Sequence, residues 1–118
     1  MLYADYNYYT NTYMGNLSDD TFKSLIPKSS KMIDRSINTI LDEENFKELS
    51  KKAQDSVHFT ACALIDLINE KKKSDERKIS SFSIDGVSKT FKIISDDEYK
   101  KKLQETLGYL PDELTRYL

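Results

Sequence analysis

Cysteine is almost missing from this chain. Cys62 stands alone, so no internal disulfide can form. Histidine is equally scarce: His58 has no second histidine or cysteine beside Cys62 with which to complete a zinc shell. Three glycines and two prolines leave few places for turns, which implies long elements. Long apolar runs are lacking too. The longest, Phe59 to Ile68, is about half of what a bilayer demands and already contains Asp66, so no membrane span is expected. Eighteen basic residues against twenty acidic ones leave a net charge of −2, without the basic excess that non-specific nucleic-acid binding uses. No glycine-rich phosphate loop, GxSxG elbow or EF-hand loop is present. The opening residues, with Asp5 and no basic stretch before an apolar run, do not have the pattern of a signal peptide, and a reducing cytoplasm is the expected address.

What is present describes one folded domain over residues 1–118: 13.7 kDa, 38% hydrophobic and 32% charged. A chain of this mass can hide roughly two-thirds of its surface, enough for a core without staples. Charge alternates along it. Residues 1–20 carry −3, 21–41 carry +3, 42–70 carry −4 and 71–78 carry +3. Solvated helix faces are the ordinary account of such alternation; complementarity between neighbouring copies of the chain is the functional one.

Five of the eight tyrosines fall between Tyr3 and Tyr13, without a lasting period, which suggests a short turn or helix piece laid across a core. Ser18 with Asp19 and Asp20 marks a helix start. Phe22, Leu25, Ile26, Met32, Ile33, Ile37, Ile40 and Leu41 recur at three and four, predicting a helix over 19–41 with a break or kink near Pro27. Phe46, Leu49, Ala53, Val57, Ala61, Leu64, Ile65 and Ile68 predict a long central helix over 46–73, unless it breaks near Ser50; around Val57 to Ile65, Phe59 included, it is apolar almost all round and expected to be surrounded by protein. Residues 71–78 read as a polar exit or linker. The serine-rich stretches flanking Asp85-Gly86 predict a β-hairpin or extended arm over 79–93, and Ser95 to Glu98 has the form of a capping box opening a helix over 96–107, with Gly108 as its left-handed stop. The expected fold is mainly α: a small helical bundle around a long central helix, its core at about 1–73 and 95–108, with a hairpin-like arm and a tail over 109–118.

Catalytic chemistry finds little to work with. His58 and Cys62 are four apart on one helix face, the spacing of a nucleophile and its base, but Cys62 sits among Ala61, Ala63 and Leu64, where a thiol is expected to be buried, neutral and inert. The acid pairs Asp19/Asp20, Glu43/Glu44 and Asp96/Asp97 all fall at helix starts, where the helix dipole accounts for them. No catalytic, cofactor-binding or metal-ligating residue is assigned, and no enzyme activity or cofactor is expected. The apolar residues of the arm (Phe82, Ile84, Val87, Phe91) and of the tail (Tyr109, Leu110, Leu114, Tyr117, Leu118) are the candidate interface. The tail is expected to dock on a partner and to be poorly ordered alone; folding back onto its own helices is the alternative.

The order of these features resembles a known family. Tyr3-Ala4-Asp5-Tyr6, Tyr8-Tyr9, Tyr13 and Gly15, followed by Phe22, Leu25, Pro27, Ser29-Ser30 and Ile33-Asp34, are similar to the start of head-tail connector proteins of tailed bacteriophages and related prophages. The likeness continues through the alanine-rich helix around Val57 to Ile68, the serine-rich arm and the ending Leu107-Gly108-Tyr109-Leu110; residues 71–78 are longer and more charged than the family's linker. The resemblance implies a small, mostly helical virion assembly protein (adaptor or head-completion protein) at the head-tail junction, present in the host cytoplasm during assembly. It also implies a homo-oligomeric ring, dodecameric when assembled, beneath the portal protein. Such a ring extends the DNA channel, passes DNA without sequence-specific binding, receives a head-tail stopper or tail-completion protein, and touches no membrane. A small helical interaction or regulatory module without catalytic activity is the other reading.

Overall fold

The structure, a computed structural model, describes residues 1–37, 41–81 and 94–115. The described residues form six helices, α1 (Tyr6–Asn11), α2 (Asp19–Ser36), α3 (Glu43–Glu48), α4 (Lys51–Ser81), α5 (Asp96–Leu107) and α6 (Asp112–Thr115). Short polar side chains set most of the starts. Asp5, Ser18, Asp42, Ser50 and Ser95 each accept from a backbone N–H three residues on, at 2.7, 3.3, 2.8, 3.1 and 3.1 Å.

The core lies between α2 and α4. Early α2 (Ser24, Leu25, Lys28) sits beside late α4 (Ile68, Lys71, Asp75), whereas Ser30 of α2 is linked through Tyr3 to His58 of α4, so the two helices run antiparallel. Phe22, Leu25, Ile26 and Ile33 from one helix and Val57, Ala61, Cys62, Leu64 and Ile65 from the other are buried together. At 31 residues, α4 is about 46 Å long and is the spine of the molecule. Among the described residues, no helix is long and apolar enough to cross a membrane.

Several boundaries differ from the sequence reading. Pro27 neither ends nor restarts α2; the ring points to solvent and the helix continues to Ser36, where Ile37 turns extended, five residues short of the expected end. The long helix does break near Ser50: Leu49 is extended, and Glu43–Glu48 becomes a separate turn anchored by buried Phe46. Residues 71–78 are not a linker but the continuation of α4. Ser74 is fully buried there and accepts from the N–H of Ile94 at 2.6 Å. The Lys71 ammonium lies 2.6 Å from Asp75 and 2.9 Å from Asp96, 5.8 Å from the centre of the Tyr99 ring. By composition the stretch is too polar to pack, yet Ser74 takes the N–H just ahead of α5 and Lys71 reaches Asp96 and Tyr99 within it. Residues 79–81 of the expected arm are helical, and the rest of it, 82–93, lies outside the described residues.

Gly108 keeps a right-handed φ of −65° rather than acting as a left-handed stop, and the chain winds on through Tyr109 N–H to Thr106 O and Leu110 N–H to Leu107 O, both 3.1 Å. The left-handed residue is elsewhere. Met14, at φ 66°, closes the turn after α1, and Gly15 behind it faces the Tyr9 ring so closely that any side chain there would overlap it.

Candidate interaction surface

The tyrosine-rich opening is fixed to the helices by its hydroxyls. Tyr3 is fully buried, its N–H donating to Ser30 Oγ at 3.2 Å and its hydroxyl to Asp34. Tyr9, also fully buried, donates to Asp66 Oδ1 at 2.7 Å, and Tyr13 donates to Oδ2 of the same carboxylate at 3.0 Å. Desolvation first, and then the neighbouring carboxylates, push all three phenols up, Tyr9 to about 12. Asp66, which interrupts an apolar run in the sequence, is therefore the acceptor around which the opening segment is arranged.

His58 and Cys62 are engaged separately. The His58 Nδ1–H donates to the Tyr3 carbonyl at 2.5 Å, which fixes the tautomer, and the ring rests between Tyr8 and Phe46, with centroids 5.1 and 5.3 Å away. Cys62 is fully buried, and desolvation, then the charges of Asp66 and Asp5, push its thiol up to about 12. A thiol so held is neutral at physiological pH.

Of the candidate interface residues, Phe82, Ile84, Val87, Phe91, Tyr117 and Leu118 lie outside the described residues. Leu110 and Leu114 are 4% and 2% exposed and belong to the core, so over 109–115 the tail folds back on its own helices rather than remaining a free docking segment. Tyr109 is the exception, 57% exposed. It meets Phe59 edge-on at 5.6 Å, Phe59 meets Tyr13 at 5.3 Å, and Tyr13 stacks on Tyr9 at 5.6 Å, so an aromatic ladder climbs from the core to the surface. Its outer end, Phe59 and Tyr109, forms with Tyr8, Lys52, Asp55 and Ser56 an open groove.

Phe59 was expected inside and is 41% exposed. The signal was legible: Val57, Ala61, Leu64 and Ile65 define the buried stripe, and Phe59, two residues from both Val57 and Ala61, points off it. Tyr8 escaped notice because the opening segment has no period from which a face could be read. Compared with protein-family models, curated proteins and solved structures, the chain matches none.

Proposed function

We propose that this protein is a structural head-tail connector of a tailed bacteriophage or prophage, which joins copies of itself beneath a portal protein and has a mechanical rather than a catalytic role. The observation that carries the reading is the aromatic ladder. It joins the tyrosine-rich opening (Tyr9, Tyr13) to Tyr109, residues that lie in the first and last of the stretches that carry the family resemblance, and finishes in exposed rings at a groove suited to a protein partner. Binding energy at protein interfaces is concentrated in a few residues, among which tyrosine is enriched. The same groove also fits a small helical interaction module whose partner is not a portal.

Portal binding separates the two. The gene should lie downstream of portal and capsid genes and upstream of tail genes, and the purified chain mixed with that portal should appear as added density beneath it in negative-stain images. Phe59→Ala/Tyr109→Ala should weaken portal binding at least tenfold in a chain that circular dichroism still shows to be helical, the lost Phe59–Tyr13 and Phe59–Tyr109 contacts lowering the urea midpoint without abolishing the transition. A folded chain that ignores the portal would leave only the interaction-module reading.

A further inference from the structure

Two helices of this molecule carry charge of one sign on their outermost faces, and the signs are opposite. On α2, Lys28, Lys31 and Arg35 follow one another at three and four, on the face opposite buried Phe22, Ile26 and Ile33, and all three are exposed. On α3, Glu44 and Glu48 are four apart on the face opposite buried Phe46, and both are exposed.

Three pairs at the four-residue spacing bring opposite charges together: Asp19 with Lys23 at 3.0 Å, Lys71 with Asp75 at 2.6 Å and Glu98 with Lys102 at 3.6 Å. Lys31 with Arg35, and Glu44 with Glu48, place like charges there, an arrangement that destabilises each helix. Among the described residues, no ion pair relieves any of these five side chains. The alternating segment charges of the sequence, +3 over 21–41 and −4 over 42–70, thus include two exposed stripes of opposite sign that no ion pair among the described residues joins, Arg35 and Glu44 meeting only the dipoles of their own helix ends.

We infer that the α2 stripe of one copy docks against the α3 stripe of a second copy. A nucleic-acid backbone would relieve α2 and leave α3 as it is; a partner that relieves both must carry both signs, and a second copy of this chain does so. The inference deepens the self-association in the reading above and rests on that part of it alone.

A charge exchange between two variants of the full chain tests it, with molar mass read by light scattering or sedimentation over a range of protein and salt concentrations. Wild-type protein should self-associate at low ionic strength and dissociate as salt rises, because surface pairs of this kind are screened. Lys28→Glu/Lys31→Glu/Arg35→Glu, and separately Glu44→Lys/Glu48→Lys, should each lower self-association roughly tenfold or more. An equimolar mixture of the two should recover it, since each supplies the sign that the other lacks. Should circular dichroism show either variant to be unfolded, Lys31→Gln/Arg35→Gln and Glu44→Gln/Glu48→Gln replace them, and each must then weaken association.

A wild-type chain that is monomeric throughout, a variant that associates as the wild type does, or a mixture that stays dissociated would each overturn the contact. So would a DNA duplex bound through the α2 stripe in place of self-association. Portal binding measured on the same variants reports on the connector reading separately, so either can fail while the other stands.

Discussion

Residues 1–17 and residues 109–115 both return to the core around α4, yet they are held there differently. The opening segment is anchored by directed polar bonds: Tyr3 to Asp34, Tyr9 and Tyr13 to the two oxygens of Asp66, the Tyr3 carbonyl to His58, and the Tyr3 N–H to Ser30 Oγ at 3.2 Å. The closing segment inserts Leu110 and Leu114 and leans Tyr109 on Phe59, a contact made of apolar surface. Apolar burial is non-directional, so it attaches a segment without fixing its register; buried hydroxyls need acceptors at particular places, so they attach it in one position only.

The sharpest way to break this contrast is to remove the shared acceptor. Asp66→Ala leaves two phenols without their carboxylate and should cost about 3–6 kcal/mol in urea unfolding, each lost bond to a charged group being worth about 1.5–3 kcal/mol. Asp66→Asn, which keeps an acceptor, should recover about half of that. An unchanged midpoint in the alanine variant would show that the opening segment, like the tail, is held by apolar contact alone.

Leu114→Ala probes the other end. With the side chain 2% exposed, the lost contact and the remaining cavity should cost about 2–3 kcal/mol in the same titration. A cost within about 0.5 kcal/mol of zero, the range typical of surface positions, would return 109–115 to the status of a free docking segment.

Alkaline pH should act on the first region selectively. Tyr3, Tyr9 and Tyr13 have folded-state values above the ordinary 10.0, so their contribution is intact below about pH 10. As pH rises from 10 toward the value of about 12 held by Tyr9, the unfolded chain ionises while the folded one does not, and stability falls. Tyrosinate absorbance should therefore show a fraction of the eight tyrosines titrating only as the helical signal is lost. Full titration near pH 10 with the helix signal intact would contradict the buried, hydrogen-bonded hydroxyls.

The smallest effect has the opposite sign. Met14 is 72% exposed with φ at 66°, so Met14→Gly loses little contact and relieves a left-handed backbone; thermal unfolding should show a gain of about 0.5–1 kcal/mol. A loss instead would mean that the thioether contributes packing beyond what its exposure suggests.

How much of this was legible beforehand depended on whether the signal was local. Capping serines and the apolar spacing of Phe22 to Ile33 and Val57 to Ile65 act within a few residues of themselves, so the starts of α2 and α5 and both faces of the core were readable in the sequence. The burial of Cys62 could be read from its neighbours for the same reason. The helix over 71–78 could not: Ser74 is buried against Ile94 and Lys71 pairs with Asp96, partners about twenty residues or more along the chain. The groove was half visible, Tyr109 among the expected interface residues, Phe59 and Tyr8 not among them.

By itself, then, the sequence determined a mainly helical chain, its long central helix and the apolar stripes that bring α2 and α4 together, because periodicity and capping are properties of neighbouring residues. Long-range contacts settled which acceptor each tyrosine finds, that Leu110 and Leu114 turn inward while Tyr109 stays outside, and that Lys71 and Ser74 of α4 find partners in Asp96 and Ile94. These outcomes are settled by long-range pairing, where the burial of one group depends on whether a partner far along the chain arrives to satisfy it.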